Sequence, residues 1–262
     1  MYRILVPVDT DLGRALHQAK HVARVANSGA DIEATVLHVT PEWRQRRFSE
    51  NDAAVEAVEH LEAEGVPVTR ALEQGKVSQR IVEVADEREI HEIVMGGRKH
   101  SGVTMAVIGS IVQDVVLSAD RPVTITGSTD SPAGETYQVL VPVDADEQRA
   151  RRQANYVATL PTAPDAIAAT ILHVESEHTT RGFSDFDAAV TAADTLAEAG
   201  VPVERVTASG NVSEQILTHA TDLNVNDIVM GGRKRSAVQK VVLGSISQEI
   251  VTSADRPVTI TG

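Results

Sequence analysis

The sequence predicts an α/β protein of two tandem domains, each a doubly wound, five-stranded parallel sheet. Three observations predict it. The chain repeats itself without a gap, strand-like and helix-like segments alternate strictly within each copy, and the strands are continuously apolar. The repeat is plain in the residues: YRILVPVD at Tyr2–Asp9 returns as YQVLVPVD at Tyr137–Asp144, an offset of 137 − 2 = 135. At the same offset IVMGGRK at Ile93–Lys99 returns at Ile228–Lys234, and DRPVTITG at Asp120–Gly127 returns at Asp255–Gly262. The segment Ser128–Glu135 is rich in Ser, Pro, Gly and acids and reads as a linker, 128–135, between domains 1–127 and 136–262. A unit of this length is too long for a solenoid repeat, so each copy is expected to have its own core.

Each element of one copy is read from periodicity. Residues 3–8 are a short apolar run ending at Asp9, a buried strand. Leu12, Leu16, Ala19, Val22, Ala23 and Ala26 follow helical spacing. Residues 32–39 form a second strand, and Val55, Val58 and Leu61 mark a second helix that ends at Gly65, in the C′ position. Residues 66–72 are a third strand, and Val77, Ile81, Val84 and Ala85 a third helix. Glu92–Met95 is a fourth strand. Ile111, Val112 and Val115 begin a fourth helix, and Val123–Thr126 closes the copy as a fifth strand after Pro122. This order places helices on both faces of a parallel sheet. In such sheets ligands bind beyond the carboxyl ends of the strands, where the strand order reverses. Asp9 is then expected opposite Gly96, and Asp144 opposite Gly231.

Composition narrows the function. Lys and Arg number 24 against 37 acids, a net charge of −13. That field repels phosphate backbones at long range, so no nucleic-acid partner is expected. With no cysteine, thiol chemistry, disulfides and Cys-ligated zinc are excluded. The N-terminus enters a strand directly, without the apolar region of a signal peptide, and no apolar run is long enough to span a bilayer. The expectation is a cytoplasmic protein with no membrane partner. Arginine outnumbers lysine and carboxylates are abundant, a composition that suits a salt-adapted organism.

The chemistry concentrates after the fourth strand. Gly96-Gly97-Arg98-Lys99 is followed by nine residues and then Gly109-Ser110; the second copy has Gly231-Gly232-Arg233-Lys234, nine residues, and Gly244-Ser245. Glycines let backbone N–H groups approach an anion, and a helix N-terminus adds unpaired donors and a favourable dipole. The dipole contributes only about 0.3–1 kcal/mol in exposed settings, so several N–H bonds must add to it.

With these motifs the chain resembles the universal stress protein family. ATP-binding members carry Gly, two residues, Gly, nine residues, then Gly-Ser or Gly-Thr, with an Asp ending the first strand and a Pro-Val strand after the fourth helix. The resemblance covers nearly the whole chain, twice, and implies the Rossmann-like fold of adenine nucleotide alpha hydrolases. It also implies a stress-response regulator that binds ATP or a related adenine nucleotide, accompanied by Mg²⁺, without strong catalysis. The adenine side would involve Pro7, Val8, Asp9, Val39 and Met95; the phosphate side Gly96, Arg98, Lys99, Gly109, Ser110, Ile111 and Val112. In the second copy these become Pro142, Val143, Asp144, Val174 and Met230, and Gly231, Arg233, Lys234, Gly244, Ser245, Ile246 and Ser247. Ser247 offers a hydroxyl that Val112 cannot.

One position departs from the family pattern. Lys99 and Lys234 stand where the motif has its second glycine. A left-handed backbone there would cost a lysine roughly 1–2 kcal/mol. A lysine reaching a phosphate recovers about 1.5–3 kcal/mol. The alternative function is therefore an interaction module whose lysines fill the phosphate cradle; a slow ATPase ranks third, because no nucleophile–base–orienter set is found. Asp9 and Asp144 could also be simple helix N-caps. His17 and His21 have metal-binding spacing, but the second copy has Arg152 and Tyr156 there, so an exposed helix face is expected. His38 and His173 recur at one strand position and read as hydrogen-bonded structural histidines. Trp43-Arg44-Gln45-Arg46-Arg47 is a basic loop that the second copy does not keep. Family members pair through their last strands, so Val123–Thr126 and Val258–Thr261 are expected to pair within the chain as a pseudo-dimer, leaving room for further homo-oligomers.

Overall fold

The computed structural model describes residues 1–41, 47–97, 108–130, 132–175, 181–234 and 241–262, with only the backbone at 233–234 and 241–242. The first copy runs β1 (Tyr2–Val8), α1 (Leu12–Ala26), β2 (Ile32–Thr40), α2 (Asp52–Ala63), β3 (Val68–Gln74), α3 (Val77–Glu87), β4 (Glu92–Gly96), α4 (Ser110–Ser118) and β5 (Val123–Thr126). The second runs β6 (Tyr137–Val143), α5 (Glu147–Ala158), β7 (Ile167–Glu175), α6 (Asp187–Glu198), β8 (Val203–Ser209), α7 (Val212–Asp222), β9 (Asp227–Gly231), β10 (Arg233–Lys234), β11 (Val241–Val242), α8 (Ser245–Ser253) and β12 (Val258–Thr261).

The alternation along each strand sorts side chains to two faces. Ile4, Val6 and Val8 of β1 join a core with α1, α2, α5 and α6, whereas Leu5 joins a second core with α3, α4, α7 and α8. β3 starts two residues later than its apolar run suggests. Gly65, at φ +80, closes α2, and the Val66 N–H is drawn back to Leu61. Pro67 then has no N–H for the ladder and offers only its carbonyl, to Ala34.

Within each copy the strand order is β3-β2-β1-β4-β5 or β8-β7-β6-β9-β12, and the order reverses between the first and fourth strands. The last strands pair antiparallel, Val258 with Ile125, Thr259 with Thr124 and Ile260 with Val123. Two parallel sheets thus become one ten-stranded sheet. Two apolar edges cover each other, and β3 and β8 remain as the outer edges.

One expectation is corrected. His17, Lys20, His21 and Arg24 share one face of α1, and the linker runs along it: Lys20 Nζ bonds Asp130 at 2.8 Å, and Arg24 bonds the carbonyls of Pro132 and Thr136. His17 Nδ1 lies 3.4 Å from Asp130. His21 is 3% exposed, and burial pulls its pKa down to about 4. The face is not a solvated one, because the chain between the copies covers it. No described helix is long and apolar enough to cross a membrane.

Candidate functional site

The site begins where two neighbouring strands part. β1 pairs with β4 only at Ile4–Glu92 and Leu5–Ile93. Beyond that point the Pro7 and Val94 carbonyls face a widening gap. Gln18 of α1 fills its inner end: Nε2 donates to both carbonyls at 2.8 Å. Gln153 does the same for Pro142 and Val229, at 2.7 and 2.8 Å. Only an amide N–H₂ can donate to two carbonyls, so the orientation is fixed and Oε1 points elsewhere. In each copy this clamp holds the crevice open without leaving buried carbonyls unpaired.

The strand-terminal aspartates do not cap helices. Asp11 and Asp146 are the N-caps, accepting from the Arg14 and Arg149 backbones at 2.9 Å. Asp9 and Asp144 sit two residues earlier, where each accepts the N–H of its N-cap, at 2.9 and 3.0 Å. Their outer oxygens take an arginine: Arg14 reaches Asp9 at 2.5 Å, and Arg149 pairs with Asp144. The same arginines reach Asp11 and Asp146, each at 3.0 Å.

The glycines are there for close approach. A Cβ on Gly231 would lie 2.1 Å from Arg149 Cγ, and one on Gly96 3.0 Å from Arg14 Cβ. A Cβ on Gly97 would meet the Thr126 carbonyl at 2.4 Å. Any side chain here would drive the arginine or the neighbouring strand away.

Above the parted strands lies a cleft in each copy. The first encloses about 890 Å³ of open space, its mouth included. It gathers Pro7, Val8, Asp9, Val39, Met95, Gly96, Gly109, Ser110, Ile111 and Val112. The second, of about 830 Å³, gathers Pro142, Val143, Asp144, Val174, Met230, Gly231, Gly244, Ser245, Ile246 and Ser247. Arg98 and Lys99 lie outside the described residues, as does the basic loop except Arg47. The backbone of Arg233 and Lys234 is extended, paired with Val242 and Val241 in a short antiparallel hairpin. Lys234 therefore carries no left-handed strain.

Several lining residues escaped sequence reasoning. Arg14 and Arg149, Gln18 and Gln153, Leu37 and Leu172, Val77 and Val212, and Ile81 and Ile216 line equivalent positions in the two clefts. Each pair is identical at the repeat offset, which is the signal that could have found them. A polar Gln on the inner face of a helix is the clearest case.

The walls differ where the sequence does. His38 lines the first cleft; its Nδ1 lies 3.1 Å from the Val8 carbonyl and 2.9 Å from Asn51 Nδ2. Asn51 also donates to the Asp9 carbonyl and caps α2. His173 keeps the contact to Val143, at 3.1 Å. Phe186 replaces Asn51, its ring 3.9 Å from that of His173, and Arg181 stacks on Phe186 at 4.7 Å.

Each cleft combines apolar side chains with a helix N-terminus. In the first, β2, β4 and α3 supply Leu37, Val39, Met95 and Ile81. The α4 N-terminus adds backbone N–H groups without a side-chain cap and the Ser110 hydroxyl. Among the described residues no group of three or more His, Asp or Glu is placed to hold a metal.

Fold and cleft together define a doubly wound α/β protein, duplicated, with a ligand-sized crevice at each switch point. The model of the universal stress protein family matches residues 1–127 and again 136–262. The chain belongs to the universal stress protein family. It is 36% identical over 69 residues to universal stress protein YxiE of Bacillus subtilis (strain 168), a match spanning 26% of this chain and 47% of that relative. A universal stress protein from Archaeoglobus fulgidus superposes with a TM-score of 0.73 at 22% identity, over 99% of this chain and 98% of its own. A functionally unknown protein from Pseudomonas aeruginosa PAO1 superposes at 0.65 and 19% identity, over 99% and 92%. These two likenesses bear on the fold.

Proposed function

We propose that the protein is a stress-response regulator that binds ATP or a related adenine nucleotide in each cleft, without strong catalysis. One observation carries this reading: the strand ends, the glycines and the α4 and α8 N-termini converge on one crevice in each copy. The base lies against Val39 and Met95, or Val174 and Met230. The phosphates lie at Gly109 and Ser110, or Gly244 and Ser245, where several N–H groups act with the helix dipole. Any Mg²⁺ arrives with the nucleotide, held by its phosphates. Occupancy stabilises one conformation or partner surface. The domain limits 1–127 and 136–262, a cytoplasmic location and further association of whole chains belong to the same reading.

Equilibrium dialysis with ATP, ADP and AMP tests it. Two sites per chain are expected, and no binding at millimolar nucleotide in suitable salt rejects it. A second reading makes the protein an interaction module. The pairing of Lys234 with Val241, four residues before α8 begins, favours it. It predicts that Lys99→Gly with Lys234→Gly creates or greatly strengthens ATP binding.

A further inference from the structure

The seam between the two copies buries a chain of four side-chain oxygens. Glu92 opens β4 and Asp227 opens β9, at the same repeat position, and they are 2% and 1% exposed. Thr124 and Thr259 stand between them, buried and directly opposite in the β5–β12 register. The contacts run from Glu92 Oε1 to Thr124 Oγ1 at 2.5 Å, to Thr259 Oγ1 at 2.7 Å, and to Asp227 Oδ2 at 2.7 Å.

Three such O···O contacts need three hydrogens. The two threonine hydroxyls supply two. With both carboxyls ionised, both hydroxyls would donate outward, and the threonine oxygens would meet lone pair to lone pair at 2.7 Å. The third hydrogen has one source within the chain, a carboxyl. We propose that Glu92 and Asp227 share a single proton, seated on Asp227, which makes the seam between the copies a proton-binding site. Asp227 then donates to Thr259, Thr259 to Thr124, and Thr124 to the Glu92 carboxylate.

The surrounding partners decide the seat. The second oxygen of Glu92 accepts from the Tyr2 hydroxyl at 3.2 Å, and the Tyr156 hydroxyl also bonds this carboxyl, so the charge is solvated there. Asp227 Oδ1 is buried without a close partner among the described residues, and the Ile228 and Thr259 backbone N–H groups are the weakest influences on this carboxyl. An unpartnered carboxylate oxygen is costlier than the carbonyl of a neutral acid. Burial pushes both carboxyls upward, Asp227 to about 7. The other groups facing the pair are Tyr2 from β1, Tyr137 from β6 and Tyr156 from α5, each pushed up by burial and by these carboxyls. They are the only tyrosines in the chain. Behind them Arg24 of α1 lies 5.5 Å from the centre of the Tyr137 ring, and His91 stacks on Tyr2 with its pKa lowered by burial.

The proton links the seam to pH. In the unfolded chain both carboxyls titrate near pH 4; the folded protein keeps the seam proton to about pH 7. Between these values the folded state binds one more proton, so stability falls as pH rises, by about tenfold in the unfolding constant per pH unit. Above that window two charges face each other across β5 and β12, the strands flanking those that end at Gly96 and Gly231.

Infrared spectroscopy of the whole protein near pH 6 tests the proposal. A protonated carboxyl C=O band is expected, and Asp227→Asn and Glu92→Gln should each abolish it, because either amide supplies the third hydrogen. The ratio of unfolding constants, wild type to Asp227→Asn, should rise about tenfold per unit between pH 4.5 and 6.5. The comparison with the variant cancels titrations elsewhere in the chain. A wild type without the band, a band that survives in both variants, or parallel pH dependence in wild type and variant overturns the proposal. The wild-type spectrum requires no variant to fold.

Discussion

In the first copy His38 opens onto the cleft and is steadied by Asn51; in the second, Phe186 covers His173 and Arg181 covers Phe186. Asn51 also caps α2, a bond that Phe186 cannot make for α6. Beneath these walls the two copies share one frame: the Gln clamp recurs with nearly the same distances, and the Asp–Arg pair and the close-approach glycine recur with the same partners. The backbone frame of the crevice tolerates no change, because its errors are buried. The wall tolerates change, because a ring or an amide can be held in more than one way. Two sites of one frame and unequal walls are expected to bind with unequal affinity.

The frame is tested by the largest effects. Gln18→Leu and Gln153→Leu each leave two carbonyls unpaired, at about 1–3 kcal/mol apiece, so each should lose about 2–6 kcal/mol in denaturant unfolding. A loss confined to one copy would break the equivalence. Next is acid. The His21 pKa is depressed, so the unfolded chain takes up a proton as pH falls from about 6.5 to about 4 and the folded protein does not. This histidine's own contribution should fall across that window by on the order of 3 kcal/mol, opposite in sign to the seam proton. Tyr156 stands at the equivalent place in the second copy, and the ratio of unfolding constants, wild type to His21→Leu, should rise on the order of a hundredfold as pH falls from about 6.5 to about 4; a constant ratio assigns the acid sensitivity elsewhere.

Smaller effects sharpen the comparison. Gly231→Ala should cost about 1–3 kcal/mol by displacing Arg149, and more than Gly96→Ala, whose contact is looser. Equal melting temperatures for the two would contradict this. Least of all, Val112→Ser and Ser247→Val exchange one hydroxyl between the clefts. Nucleotide titration should show the order of site affinities move by about 0.5–1.5 kcal/mol, up to roughly tenfold.

Much of this was legible in the sequence. The apolar runs gave the strands to within two residues, and the expected site residues whose side chains are described line one cleft in their copy. Arg14, Gln18 and their counterparts were not found, although the repeat preserves them. Their roles depend on where β1 and β4 part, and a strand's divergence leaves no pattern in its own residues. The burial of His21 was missed for a similar reason. The helix face looks solvent-facing within one copy, and the linker and the start of the second copy lie along it.

The sequence by itself determined what is local and periodic: the elements, their order, the duplication and the glycine-to-helix turns. Tertiary structure alone decided what is shared between distant segments. It closed two sheets into one through β5 and β12, turned two aspartates from capping candidates into arginine partners, and brought Glu92 and Asp227 into one buried chain of oxygens. The reason is that periodicity reports which way a side chain faces, whereas hydrogen-bond partners and charge states depend on what lies opposite.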